Sequence, residues 1–436
     1  GAINYVTKKP SYQLEYGGRL TAGDGDRAGV TAYTSAPIIQ EKLALRVDAG
    51  FNRSGGSFDN TVDGKPLGSA DTSFVRLGAI WDPTERLNIF ASVSYSEDEV
   101  NPVAATLIAD DDPRRIGERQ IFTYSPFDFA AGGGAPVGRL YDGEVTAASS
   151  SYTIDPRSFA GDREISHFTL QATYEFKGFD LISLTGYQER TVETLSDFNT
   201  CRNDIRSAVC NTVSPTAMGT FFGGPLAGAP LVFGVLTGAI EDRNEISEDL
   251  RLQSSGDGRL QWVAGLYVSR EEFTDQTQRL SDGTLATPSG AIVYAVQSSE
   301  PLIDSSTEIE NRFYSIYGSL SYDFFERWNL TGELRTTREE KQADQVLNAF
   351  PTNVAPTGFQ ERDFTFTTPR VILSFDATDD LLTYLSAANG VKSGGFNAGS
   401  VQSPTFDQEE NWTYELGSKY TFWGGRARLN GAIYYI

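Results

Sequence analysis

EIENRFYSIYGSLSYDFFERWNLTGELRTTREEK, Glu308 to Lys341, reads as two antiparallel β-strands joined by a tight turn. In the first arm Tyr314, Ile316, Gly318, Leu320 and Tyr322 share one side, while Phe313, Ser315, Tyr317, Ser319 and Ser321 share the other; this is the two-residue period of a strand. After the turn at Asp323 to Arg327, Leu330, Gly332 and Leu334 alternate with Asn329, Thr331, Glu333 and Arg335. Soluble strands usually run to about 5 to 6 residues, and both arms are much longer. A tilted strand of about 9 to 11 residues crosses the hydrocarbon of a bilayer, with one face on lipid and the other on a lumen. The hairpin by itself fits either such a membrane ribbon or a large soluble antiparallel sheet.

Outward from this hairpin the same pattern recurs. Leu43, Leu45, Val47, Ala49 and Phe51 face away from Lys42, Arg46, Asp48 and Asn52. Val75, Leu77, Ala79 and Trp81 oppose Arg76 and Gly78, and Leu87 to Tyr95 alternates with Asn88 to Ser96. Further on, Phe168 to Phe176 opposes His167 to Glu175, and Leu260 to Val268 makes another two-faced run. Short connections fall near PIIQEK (37–42), DPTER (82–86), 177, 254, 323, 376 and 423, and longer ones fall between them, apart from a tight reversal near Gly25. The long ones are expected at 53–70, 97–162, beyond 192, 272–307, 342–360 and 392–409, and the apolar run Met218 to Ala239 is expected to pack at a lumen mouth. About 15 strands result. Short turns on one rim and long loops on the other are the habit of outer-membrane barrels, with the short turns periplasmic. The expected fold is therefore all-β, a transmembrane antiparallel up-and-down β-barrel, and Tyr314, Ile316, Leu320, Leu330 and Leu334 are expected to face lipid.

The composition suits this reading. Of 436 residues 12% are aromatic and 43 are Gly, with 1 Met and 1 His. No run of about 20 apolar residues offers a membrane helix. A net charge of −22 opposes nucleic-acid binding and fits long solvated loops. Cys201 and Cys210 are close together and alone, which points to a local disulfide in an oxidising compartment, with two free thiols as the alternative. The chain starts at Gly1 and stops in mid-pattern at Tyr434, Tyr435 and Ile436, so both ends are expected to continue in the whole protein.

No catalytic constellation stands out, and the expectation is a protein that is not an enzyme and needs no cofactor. His167 has no second histidine to join it and reads as a lumen residue; Asp110, Asp111 and Asp112 lack the alternate-ligand spacing of a calcium loop and read as solvated. No metal site is expected. Binding is the expected chemistry. Phe122, Tyr124, Phe127, Phe129 and Tyr141 in the first long loop, and Phe221, Phe222 and Phe233 in the second, are candidate ligand contacts, because aromatics supply large contact area at low entropy cost. The alternative is that they pack loop on loop. Arg46, Asp48, Arg76, Glu333, Arg335, Glu415 and Lys419 carry the lumen phase and are candidates for pairing with one another or with a plug.

Two segments resemble the TonB-dependent outer-membrane receptors. GAINYVTKKP, Gly1 to Pro10, looks like the end of that family's plug domain, and GVKSGGFN, Gly390 to Asn397, followed by FDQEENWTYELGSKY, Phe406 to Tyr420, looks like a loop and strand of its barrel. The resemblance implies that residues 1–10 end a plug and that 11–436 form part of a 22-stranded barrel, with the TonB box, most of the plug and about seven strands outside this chain. It further implies a bacterial outer-membrane receptor that binds a scarce bulky nutrient, first of all a ferric siderophore, and imports it with energy from the TonB–ExbB–ExbD complex. Outer-membrane lipid and lipopolysaccharide would be its surroundings. A receptor of the same fold for oligosaccharide, cobalamin or another nutrient, and a passive porin or structural surface barrel, are the competing readings.

Overall fold

The computed structural model of the chain describes residues 7–60, 63–103, 151–152, 154, 156–197, 231–286, 292–297, 302–347, 358–397 and 404–436. The first hairpin, β1 (Glu15–Gly23) and β2 (Arg27–Ile39), closes through Gly25 and Asp26, both at positive φ. β3 (Leu43–Ser54) follows, then two short strands, β4 (Phe58–Asn60) and β5 (Pro66–Leu67), and the hairpin β6 (Ala70–Thr84) and β7 (Leu87–Val100). β8 (Ser151–Tyr152) pairs in parallel with β4. The wall continues through β9 (Phe159–Glu175), β10 (Phe179–Asp197), β11 (Leu231–Ser254) and β12 (Leu260–Ala286), beside which β13 (Ile292–Gln297) adds a short partner. β14 (Leu302–Phe324), β15 (Trp328–Leu347), β16 (Gly358–Thr378) and β17 (Leu381–Lys392) come next, then the small hairpin β18 (Gly395–Phe396) and β19 (Thr405–Phe406), and finally β20 (Glu409–Phe422) and β21 (Ala427–Tyr435). Fifteen strands form one antiparallel up-and-down path from β1 to β21, each hydrogen-bonded to the next wall strand. No helix occurs among the described residues.

The opening hairpin is β14 and β15, with Gly318 opposite Leu334 and Tyr322 opposite Leu330. Phe325 and Glu326 turn it with φ of 52° and 56°, the twist that lets two right-twisted strands reverse in so few residues. Every short connection, 40–42, 85–86, 176–178, 255–259, 325–327, 379–380 and 423–426, lies on one rim. The tight 24–26 turn lies on the other, beside the start of the 55–69 connection, where the Gly55 N–H donates to the Gly25 carbonyl at 2.9 Å.

Among the described residues the apolar side chains do not collect into one large core; buried clusters are as small as Leu67 with Ile154 and Leu195 with Leu236. Leu266 and Leu334 are each 52% exposed, Leu385 is 54% and Ile316 is 61%, and all stand on the same outward face. A soluble sheet of this size would have to bury them. Aromatics ring the short-turn edge of that face: Tyr174, Phe176, Phe179 and Trp262 touch in sequence, with Phe176 stacked on Phe179, and Phe324, Trp328 and Phe375 stack in turn. The register shows the strands tilted relative to this band. One hydrogen-bonded row runs Val47, Leu77, Val93, Phe168, Tyr187, Ile246 and then leaves the band at Arg270 and Arg312. A tilted, sheared ladder is what a barrel wall requires.

Several strands outrun the sequence reading. β12 continues through the expected 272–307 loop to Ala286, with β14 restarting at Leu302; β10 passes Val192 to reach Asp197; and β15 and β16 extend into the expected 342–360 connection. PIIQEK is only half a turn, because Pro37 to Ile39 stay in β2 across a register shift. Of the run Met218 to Ala239, Leu231 onward is strand β11, and the part before it lies outside the described residues. Replacing Ile316 with Arg on the lipid face should destabilise the folded protein in vesicles by about 2 to 4 kcal/mol, whereas Ser319→Arg on the polar face should cost under about 1 kcal/mol. A larger cost for Ser319→Arg than for Ile316→Arg in urea unfolding would reverse the facing of β14, and equal costs would leave neither face on lipid.

Candidate functional site

The polar face of the wall holds the candidate chemistry, and three patches on it share one construction. On β1, β12 and β20 a glycine lies beneath a tyrosine of the neighbouring strand: a Cβ added at Gly17, Gly265 or Gly417 would come within 2.8, 2.4 and 2.4 Å of Tyr33, Tyr317 and Tyr384 respectively. The missing side chain lets each ring lie flat on the wall, as when an aromatic covers a cross-strand glycine. A cation then sits over each ring: Arg46 at 4.3 Å from Tyr33, Arg335 at 5.7 Å from Tyr317, and Lys419 at 5.7 Å from Tyr384. Carboxylates complete the sets. Asp48 accepts from Arg46 at 2.8 Å, Tyr317 donates to Asp249 at 2.7 Å, and Tyr384 donates to Glu415.

The first patch is occupied by the chain itself. Arg46, 5% exposed, pairs with Asp48, and Arg76 lies 4.0 Å from the same carboxylate while donating to the Lys8 carbonyl at 3.1 Å. Lys8 reaches over Tyr33 to Glu15, Lys9 stands 5.0 Å from the Phe90 ring, and the Ser11 N–H donates to the fully buried Ser35 hydroxyl at 2.8 Å. Tyr12 donates to Asp82, which Asn88 also contacts at 2.6 Å. Residues 8–12 are thus seated on the inner wall of β2, β3, β6 and β7. Burial first, and then the hydrogen bond and charge of Asp82, push the Tyr12 phenol up to about 12.

Of the residues singled out in the sequence, Arg46, Asp48 and Arg76 come together here, and Glu415 meets Lys419 through Tyr384. Glu333 pairs with Arg370 at 3.6 Å, and Arg335 donates to Ser315 at 3.0 Å and lies against Tyr267 as well as Tyr317. The three groups do not converge on one point. His167 has the polar phase, opposite Ser94 and Gln188. Phe122, Tyr124, Phe127, Phe129, Tyr141, Phe221, Phe222, Cys201, Cys210 and Asp110 to Asp112 lie outside the described residues, and of Phe233 only the place in β11 is described. Among the described residues no three His, Cys, Asp or Glu side chains form a metal-holding group.

A second group was not anticipated. Lys341, inward on β15, donates to the Ser393 hydroxyl and to the Gly394 carbonyl at 3.0 Å, lies 3.3 Å from Glu339, and stands 5.7 Å from the Phe364 ring. Lys341 shares the odd phase of Glu333 and Arg335, so its inward direction was readable. Its partner loop was not.

A long tilted antiparallel wall, apolar and aromatic-girdled outside, polar and charged inside, defines a transmembrane β-barrel protein. The family model described as TonB dependent receptor-like, beta-barrel matches residues 106–436, and the chain belongs to that family, whose barrels are outer-membrane proteins. Among solved structures it is similar to the ferric yersiniabactin uptake receptor FyuA from Yersinia pestis, with a TM-score of 0.67 at 14% identity over 98% of this chain and 55% of that one. The siderophore receptor PiuA from Acinetobacter baumannii gives 0.65 at 15% identity over 98% and 57%, and the ferric preacinetobactin receptor BauA from the same organism gives 0.61 at 12% over 98% and 55%. At such identities the likeness is one of fold, and the chain spans a little over half the length of these receptors.

Two outcomes check the seat and the platforms. Because the folded Tyr12 value lies above its ordinary value near 10, the Tyr12–Asp82 contact is fully present below that pH and is lost as pH rises through about 12. The tyrosinate difference spectrum between wild type and Tyr12→Phe should therefore have its midpoint near the upper value, and a midpoint near the lower one would mean that Tyr12 is not docked. Gly265→Val should displace Tyr317 from Asp249 and cost about 1 to 3 kcal/mol in unfolding, a loss that Tyr317→Ala in the same chain largely relieves.

Proposed function

We propose that this chain is the barrel portion of an energised outer-membrane receptor that binds a ferric siderophore and imports it with TonB-coupled energy, residues 1–10 being the end of a plug and 11–436 part of the barrel. The seat of Lys8 to Tyr12 on the inner wall carries this reading: a segment entering β1 from inside the wall is the path by which a lumen-filling domain joins its barrel. Ferric yersiniabactin for FyuA, ferric preacinetobactin for BauA and a siderophore for PiuA, all similar in fold, favour a metal chelate over other bulky nutrients. The polar wall then serves as the plug-facing surface, with Arg335 and Lys419 presented on their tyrosines toward the lumen. Phe122, Tyr124, Phe127, Phe129, Tyr141, Phe221 and Phe222 are the proposed loop contacts of the chelate, Phe233 is a proposed contact from the upper part of β11, and TonB–ExbB–ExbD is the proposed energising partner.

Uptake of radiolabelled ferric siderophores by cells that differ only in this receptor tests the proposal. Accumulation should require both the receptor and TonB, and replacing Phe221 and Phe222 together with Ala should weaken chelate binding about tenfold or more. Receptor-dependent uptake that persists without TonB would identify a passive pore, and absence of binding across ferric chelates would move the substrate to another nutrient class.

A further inference from the structure

The described parts of the connection between β17 and β20, residues 393–397 and 404–408, turn inward. They lie against the polar face of β15 and β16. Ser393 and the Gly394 carbonyl take two donors from Lys341, and Asp407 pairs with Arg362 at 2.8 Å. Between these anchors the buried Phe364 ring supports the hairpin from below, flanked by Lys341 and by Arg362 at 5.1 Å. The glycine pair is spent on closeness. A Cβ at Gly394 would fall 2.3 Å from the Phe406 carbonyl oxygen and 2.7 Å from the Phe364 ring, and one at Gly395 would fall 2.9 Å from the Phe406 ring. The stem itself is paired, Gly395 with Phe406 and Phe396 with Thr405, and the Asn397 N–H donates to the Pro404 carbonyl at 2.8 Å.

We propose that the stem formed by residues 392–397 and 404–407 is a fixed strut of the barrel mouth, pinned to the inner wall by Lys341. Lys341 acts as a positioning residue: it neutralises the buried Glu339 carboxylate beneath and holds the hairpin above, so one ammonium joins wall and strut. The tight glycine contacts pack the stem directly onto Phe364, with no room for a larger residue between them. The stem beside β15 and β16 thus stays in place when a ligand enters. The last point rests on the receptor reading above; the strut does not.

Hydrogen exchange measured by mass spectrometry on the intact protein in micelles tests it without any ligand. In wild type, the amides of Gly395 to Asn397 and of Thr405 to Asp407 should exchange far more slowly than free chain. Lys341→Met should speed them by about tenfold or more, as expected when a pinning hydrogen bond is lost, while the β17 and β20 ladders keep their protection. Lys341→Met also strands Glu339, so the double variant Glu339→Gln with Lys341→Met gives the same reading in a wall free of an unpaired carboxylate, its folding verified by heat-modifiable gel migration. Gly394→Val should free the stem by steric exclusion with Lys341 intact. Free-chain exchange in wild type, or unchanged protection in the double variant, would overturn the proposal. Either result would leave siderophore transport untouched.

Discussion

In hydrocarbon there is no water to satisfy a peptide group, so each backbone N–H and C=O that crosses the bilayer has to find a partner in the chain. That constraint organises this protein more than any side-chain contact. It explains why neighbouring wall strands pair without a gap from Glu15 to Tyr435, why the short-rim connections shrink to a few residues, and why Phe325 and Glu326 accept left-handed backbone to keep one of them short. It also explains the absence of an ordinary core. With the ladder supplying cohesion, Ile316, Leu334 and Leu385 need only face a solvent as apolar as themselves.

A wall held by its backbone leaves the inner side chains free for other work, and the glycine-tyrosine patches show what that permits. Flattening Tyr33, Tyr317 and Tyr384 onto glycines keeps the lumen surface low, while each ring offers a face to a cation, and Tyr317 and Tyr384 also give a hydroxyl to a carboxylate. At the first patch the occupant is visible: Lys8 lies over the ring that Arg46 already covers, and Arg76 holds the Lys8 carbonyl. Two guanidiniums share Asp48 there, so the seat is more positive than its own carboxylate balances, and part of its stabilisation comes from the Lys8 carbonyl of the docked segment. The strut at Ser393 and Gly394 follows the same rule near the other rim, with Lys341 donating to a carbonyl and a hydroxyl.

The sequence was legible where the two faces of a strand meet different solvents. Between Tyr314 and Phe324, lipid on one side and lumen on the other forced an alternation that could be read residue by residue, and it placed Glu333 and Arg335 on the face where the structure has them. Above the lipid both faces are wet. Residues 271–282, EEFTDQTQRLSD, therefore lost their contrast and read as a loop, although the backbone ladder of β12 runs straight through them. The site was less legible than the fold for a related reason. That Lys341 points inward follows from parity; that it meets Ser393, 52 residues later, depends on how a loop folds back, which no local period encodes. The pairing of Gly265 with Tyr317 likewise needs the register of β12 against β14.

Glu248 shows how strongly that register binds. It lies on the outward face of β11, between Ile246 and Leu250 and opposite Val268, and among the described residues it is the one carboxylate or cation within the apolar band. Local preference would turn it inward, but a strand cannot turn one residue without turning all, and a slip by one would carry Ile246, Leu250 and Leu252 into the lumen and Asp249 and Arg251 into lipid. The ladder keeps its phase, and the neighbouring strand meets the cost: Ser183 and Thr185 of β10, also outward and also polar, each donate a hydroxyl to one oxygen of the carboxylate. An acid on the lipid face is less costly than a base, and one whose oxygens both accept hydrogen bonds is less costly again. The polar pair in β10, unaccounted for by β10 alone, thus has its physical reason in the strand beside it.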